Sequence, residues 1–319
     1  MSNCSITVRV VAAKDIAADI RLLELQAEPT GELPSFSAGA HIDIVLPEGM
    51  IRQYSLLNVP SRSNVYHIAV AREPASRGGS VFLHDQVEVG DLLRISAPRC
   101  HFALVETAPH SVLVAGGIGI TPIWCMAQRL DAIGASWEMH YAARTRGHAA
   151  LLDQIELAAA AGAGAVSTYF NLEGDPLMDL ATIVAGAPEG SHFYCCGPLA
   201  LLDAYKLACA TLSAQHVHFE QFTAAAPAAL DGGYVVELAS SRRTITVEPG
   251  QTILDALGAA GMRASYSCRE GVCGSCETAV LAGTPDHRDA ILTDEERAAG
   301  KTMMICCSGS LSPRLVLDL

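Results

Sequence analysis

Cys268, Cys273 and Cys276 stand in CREGVCGSC, a C-x4-C-x2-C run, and Cys306 follows farther on. Four thiolates can hold two irons if the first three wrap the cluster within one loop. Such a loop needs glycines for positive-φ backbone and close approach to the sulfides, and Gly271 and Gly274 supply them. The spacing is that of plant-type 2Fe-2S ligation. Cys306 and Cys307 are adjacent, and the spacing points to Cys306 as the fourth ligand with Cys307 packed beside it. Structural zinc usually brings two short C-x2-C pairs, and one is present. A redox dithiol at Cys273 and Cys276 would call for a preceding thioredoxin-like strand, and core cysteines are uncommon in a glycine-rich loop.

A second kind of chemistry needs bare backbone. SVLVAGGIGITPI runs from an apolar stretch into Gly116, Gly117 and Gly119, and Thr121 and Pro122 open a helix. Backbone without Cβ atoms can approach a pyrophosphate, and a helix N-terminus offers free N–H groups and a positive dipole end. Glycine turns also serve geometry alone, and this one departs from the common dinucleotide spacing. SHFYCCGPLALLDA repeats the arrangement, with a strand ending at Cys195-Cys196-Gly197-Pro198 before a helix. Two such edges in one sheet argue for a nucleotide site more strongly than either alone.

A third pattern lies in HIDIVLPEGMIRQYSLLNVP. Arg52 can pair with a phosphate, Tyr54 can stack on a flavin, and Ser55 can bond a flavin ring edge. Taken alone, these residues fit an ordinary strand with a surface arginine as well. Arg77-Gly78-Gly79-Ser80 before VFLH is a second candidate phosphate cradle.

These groups need elements to position them. The chain has 319 residues, half of them hydrophobic and 17% charged, which suits two or three domains with real cores. Short alternating runs from Ile6 to Thr107, such as IRLLELQA and HIDIVLP, predict a small antiparallel barrel or sandwich. From Ser111 to Phe222 strands alternate with helices, which predicts a parallel sheet. TAAAPAAL, Thr223 to Leu230, reads as a linker, and a hairpin, a helix and the cysteine loop follow. The formal charge is −13, from 34 acidic and 21 basic residues, so nucleic acid and anionic membrane are poor partners. No basic segment leads into an apolar one at the start, and the expectation is a cytoplasmic protein. The histidines His84, His110, His140, His148, His192 and His287 are read as surface or hydrogen-bonded positions.

RQYSL, RGGS, GGIGITP, CGP, HFEQF and CREGVCGSC occur in the order found in the phthalate dioxygenase reductase family, which the chain resembles over essentially its whole length. The resemblance implies an FMN-binding β-barrel over 1–107, an α/β NAD-binding domain over 108–223, a linker over 224–231 and a β-grasp 2Fe-2S ferredoxin domain over 232–319. It implies that Arg52 contacts the flavin phosphate, Tyr54 and Ser55 lie against the ring, and Gly79 and Ser80 sit near the phosphate. Gly117, Gly119, Thr121 and Pro122 would face NADH, with Gly197 and Pro198 at the neighbouring turn. Cys196 would lie by the hydride path, Glu220 close to it, and Phe222 would shield the flavin. The implied activity is transfer of electrons from NADH, with NADPH possible through Arg144 and Arg146, to a Rieske-type oxygenase, and the expected state is a monomer. A haem monooxygenase is the alternative acceptor. An iron–sulfur carrier or sensor and a zinc-stabilised interaction module are the readings from other classes. Asp294, Glu295 and Glu296 could belong to a docking surface or to a solvated helix start.

Overall fold

The computed structural model describes residues 6–60, 64–73, 78–162, 164–223 and 226–319. The chain divides into two compact units, one ending at Glu220 and one running from Gln221 to Leu319.

The first unit opens with a seven-stranded antiparallel sheet. Its strands are β1 (Ile6–Ala17), β2 (Ile20–Ala27), β3 (Ala40–Val45), β4 (Ile51–Ser55), β5 (Val65–Ala71), β6 (Leu92–Ile95) and β7 (Arg99–Cys100). The order is β4-β3-β6-β1-β2-β5, with β7 added on β3. End strands β4 and β5 approach one another without pairing, so the sheet curls into a half-barrel. Alternation in the sequence sets the inward face: Val8, Val10, Leu23, Leu25, Ile42, Ile44 and Ile68 fill the core. A short helix, α1 (Gly79–Asp85), sits between β5 and β6.

The same unit continues as a parallel sheet of β8 (Ser111–Gly116), β9 (Trp137–Ala143), β10 (Ala165–Phe170), β11 (His192–Cys196) and β12 (Val217–Glu220). Its helices are α2 (Ile120–Ala132), α3 (Leu152–Ala160), α4 (Leu180–Gly186) and α5 (Leu199–Ala208). The order β10-β9-β8-β11-β12 puts the topological switch between β8 and β11. β8 is buried throughout, as a central strand covered on both faces must be. Leu113 and Ala115 pack with α2 on one face, while Val112 and Val114 pack with Leu202 and Tyr205 of α5 on the other.

The second unit is a β-grasp domain. It contains β13 (Tyr234–Leu238), β14 (Arg243–Val247), α6 (Ile253–Ala259), β15 (Glu277–Ala282), β16 (Pro285–Asp286), α7 (Asp294–Ala299), β17 (Thr302–Met304), β18 (Gly309–Ser310) and β19 (Arg314–Leu317). The main sheet runs β14-β13-β19-β15-β17, and α6 packs Ile253, Leu254 and Leu257 into its core. Thr252 starts α6 with a capping box closed by Asp255. Thr293 and Glu296 do the same for α7, so the acidic run Asp294-Glu295-Glu296 is that helix's first turn, where its dipole favours negative charge. No helix among the described residues is long and apolar enough to cross a membrane.

Candidate functional site

The glycine turns after β8 and β11 meet at the switch point. A Cβ on Gly119 would fall on the carbonyl of Cys196 and within 2.8 Å of Gly197 N. A Cβ on Gly116 would stand 2.8 Å from Pro198 Cδ, and one on Gly197 3.1 Å from Gly116 Cα. The two carboxyl-edge turns therefore touch backbone to backbone, which only glycine permits. Gly117 takes φ +53° and passes the chain into a short 3-10 turn and α2. Thr121 is buried, and its hydroxyl donates to the Ile118 carbonyl at 3.0 Å, so it ties the turn instead of presenting a donor outward. Pro122 is buried in the first turn of α2.

Strand pairing brings Glu220 level with Cys196 at the ends of β12 and β11. The Ser55 hydroxyl, at the end of β4, donates to the Glu220 carboxyl. Ser55, Glu220 and Cys196 thus converge from three strands. Burial pushes Glu220 from the usual 4.5 up to about 8, against the opposing effect of the Ser55 bond. Its Oε2 is buried without a hydrogen-bond partner. Burial, then the neighbouring Glu220 and Cys195, holds the Cys196 thiol well above its ordinary value, so Cys196 is a neutral packing surface. Of the doubled cysteines, Cys195 lies on the opposite face among Val112, Val114 and Leu202.

Arg52 and Gly79 meet: a Cβ on Gly79 would stand 2.7 Å from Arg52 Cγ and 2.8 Å from its Nε. The arginine lies across the first turn of α1, whose N-cap Gly78 adopts φ +94° and provides no side-chain cap. The Ser80 hydroxyl accepts from Glu73 N at 3.1 Å. Tyr54 packs against the barrel core. Arg77 lies outside the described residues. Phe222 belongs to the second unit, just past the boundary, and is 38% exposed.

Sequence reasoning missed the group behind β4. Asp43, fully buried on β3, accepts from Gln53 Nε2 at 2.9 Å and from Arg99 at 2.6 Å. This network holds the strand that carries Arg52, Tyr54 and Ser55. A lone acid inside the apolar run HIDIV was the available signal. Asp43→Ala leaves Arg99 uncompensated beside the barrel and is expected to cost about 3 kcal/mol or more, read as a lower urea midpoint.

In the second unit the cysteine loop joins α6 to β15, and Cys306 follows β17. All four thiols are buried. Contacts link Cys273 to Cys268, Cys268 to Cys306 and Cys306 to Cys276, and Cys276 lies close enough to Cys273 to feel its charge, so the four thiols form one cluster. Among the described residues no three His, Cys, Asp or Glu side chains gather on one ion. Four clustered thiols suit a metal centre, and the plant-type spacing of the loop favours two irons over one tetrahedral zinc. Contact with Cys306, then burial, raises the Cys276 thiol, and contact with Cys268, then burial, raises Cys273. Such thiols ionise readily only against a cation. Gly271 and Gly274 take φ +71° and +68°, and Glu270 N donates to Cys268 Sγ at 3.3 Å. Cys307 Sγ stands 3.7 Å from the Met304 carbonyl and packs against Gly271 of the loop.

Five of the six histidines read as structural are hydrogen-bonded: His84 with the Val70 carbonyl, His110 with Ser136, His140 with Tyr169, His148 with Thr145 and His192 with His218, while both ring nitrogens of His287 are buried without a hydrogen-bond partner. Arg146 pairs with Glu156 at 2.7 Å, while Arg144 is exposed beyond β9.

Residues 236–309 match the family described as a 2Fe-2S iron-sulfur cluster binding domain. The phenoxybenzoate dioxygenase subunit beta of Ectopseudomonas oleovorans is 54% identical, over 98% of this chain and 97% of its own length. The solved structure of phthalate dioxygenase reductase, described as modular for electron transfer from pyridine nucleotides to [2Fe-2S], is 36% identical and covers 99% of this chain and 98% of its own, with a TM-score of 0.75. The chain belongs to the phthalate dioxygenase reductase family. This reductase also resembles part of an intact type IV self-sufficient cytochrome P450 monooxygenase, at 42% identity and a TM-score of 0.87 over 98% of the chain; it spans 41% of that longer polypeptide. As a family member it is an oxidoreductase with a flavin and nucleotide unit and a 2Fe-2S unit.

Proposed function

We propose that this reductase takes hydride from NADH onto FMN and delivers electrons singly to a Rieske-type terminal oxygenase that hydroxylates or O-demethylates an aromatic substrate. The convergence of Ser55, Glu220 and Cys196 carries the reading, because it joins the barrel to the nucleotide edge at one point. FMN and NADH rest on family likeness, and a cytoplasmic, monomeric protein is part of the same proposal.

Bound flavin supplies the conversion between a two-electron hydride and one-electron transfers, which a 2Fe-2S cluster accepts one at a time. The chain's own task is positioning. Arg52 and the first turn of α1, with Gly79 and Ser80, would bind the flavin phosphate, and Tyr54 and Ser55 would flank the ring. Phe222 would cover it. Gly117, Gly119, Gly197 and Pro198 would admit the dinucleotide backbone, with Thr121 and Pro122 fixing the turn. Cys196 would bear on the nicotinamide without ionising. Glu220 holds a proton on its carboxyl at neutral pH, beside Ser55 Oγ. Cys268, Cys273, Cys276 and Cys306 would hold the cluster.

The Glu220 proton has a signature. NADH-driven bleaching of the flavin is expected to slow as pH rises through about 8, and Glu220→Gln should remove that inflection in a stopped-flow pH profile. Stability follows the same sign. The folded value lies above the unfolded one, so this contribution is complete below pH 4.5 and is lost as pH rises to about 8.

Anaerobic titration with NADH tests the function. Flavin and iron–sulfur bands bleaching together, with about three electrons taken up per chain, support it. A colourless protein, or one bleached only by dithionite, overturns it. The likeness to a P450 fusion favours a haem monooxygenase as the second acceptor, and turnover with each purified partner separates the two.

A further inference from the structure

We propose that Asp289 is a positioning residue for the iron–sulfur loop, seating Gly271 and keeping a negative charge beside the cluster; this rests on the cluster reading above. Gly271 lies midway between Cys268 and Cys273. A Cβ there would stand 2.5 Å from Cys307 Sγ and 2.9 Å from Asp289 Cα. The loop is therefore clasped between the residue after Cys306 and the segment that follows β16.

Asp289 is what shapes that segment. It is 1% exposed. Its Oδ2 accepts from Ile291 N at 3.1 Å and Leu292 N at 2.8 Å, folding the chain back on itself. That turn aims Ala290 N at the Gly271 carbonyl, 2.8 Å away. On the other side Arg288 N donates to Ser308 Oγ at 3.2 Å, near Cys306. Arg297 braces the turn from α7, donating to the Asp289 carbonyl at 2.6 Å.

The carboxylate does more than fold the turn. Its Oδ1 is buried with no hydrogen-bond partner, and His287 Nδ1 stands 3.7 Å away, too far for a hydrogen bond. Arg297 reaches Oδ2 only at 3.9 Å. The carboxylate, met by two backbone N–H groups and by Arg297, acts through a low-dielectric interior on whatever lies beyond Gly271. Negative charge there opposes addition of an electron to the cluster, so it lowers the reduction potential.

Two substitutions separate shape from charge. Asp289→Asn keeps one oxygen to accept from Ile291 and Leu292 but carries no charge; Asp289→Ala keeps neither. In the full chain, the expected results are a raised cluster potential in both variants by spectroelectrochemistry. Asp289→Ala should also shift the g-values of the reduced cluster and speed its loss to a chelator by about tenfold, the scale of a lost charge-assisted hydrogen bond. A merely structural role would lower the melting temperature and leave potential and g-values alone. Asp289→Asn with wild-type potential overturns the proposal, whether or not Asp289→Ala folds. A wild-type chain with no 2Fe-2S signal at all would instead sink the cluster reading on which it rests.

Discussion

Cys306→Ala is expected to abolish the iron–sulfur signal and leave the flavin reducible by NADH, with uptake falling from about three electrons to about two. Delivery to a one-electron protein acceptor should fall by about a hundredfold or more, because the flavin loses its outlet. The reason is geometric. Cys306 contacts both Cys268 and Cys276, whereas Cys307 Sγ lies against Gly271 and the Met304 carbonyl. Cys307→Ser should therefore keep the signal, since the hydroxyl fills almost the same space against Gly271. Electron paramagnetic resonance of the dithionite-reduced proteins decides it. A cluster that survives in Cys306→Ala and vanishes in Cys307→Ser would reverse the ligand assignment.

Gly119→Ala should strike the other half of the molecule. The added methyl would occupy the space of the Cys196 carbonyl, so the turns after β8 and β11 must separate. Overpacking in so tight a place costs about 1–3 kcal/mol. The functional loss should be larger, with NADH-driven bleaching slowed by about a hundredfold, because a displacement of about an ångström at a positioning turn is enough to do that. Gly134→Ala, just past the C-terminal end of α2, is the matched control. Its Cβ meets nothing within 4 Å, and the position has φ +66°, so the cost is left-handed strain of about 1 kcal/mol. Stopped-flow reduction with NADH, beside dithionite as a reductant that needs no nucleotide site, distinguishes a damaged turn from a lost flavin. Equal rates for the two alanine variants would remove the close approach from the account.

Much of this was legible in the sequence because it is local. Positive-φ glycines, cysteine spacing and a glycine turn between an apolar strand and a helix act over a dozen residues, and CREGVCGSC and GGIGITP sit where their spacing implies. What stayed hidden depends on contacts between distant segments. Asp43 is explained only by Arg99, which β7 brings alongside β3, and Asp289 only by the loop around Gly271. TAAAPAAL shows the limit of composition. Small residues suggested a linker, yet Ala229 is buried and its N–H donates to the Cys307 carbonyl at 2.8 Å. There small size permits close approach of backbones and does not signal freedom. Ala224 and Ala225 of the same stretch lie outside the described residues. Likewise Thr121, read as facing the nucleotide, bonds the carbonyl of its own turn.

The cysteines buried in the first unit bear on how long the enzyme lasts. Burial pushes Cys125 up to about 12 and holds Cys195 and Cys196 above their ordinary value as well. Peroxide attacks the thiolate and spares the thiol. Cys196, buried level with Glu220 at the ends of β11 and β12, is kept in the form that reacts least with peroxide. Among the described cysteines of this unit, oxidative wear would then fall first on the partly exposed Cys100, leaving the nucleotide edge working after the surface has begun to age.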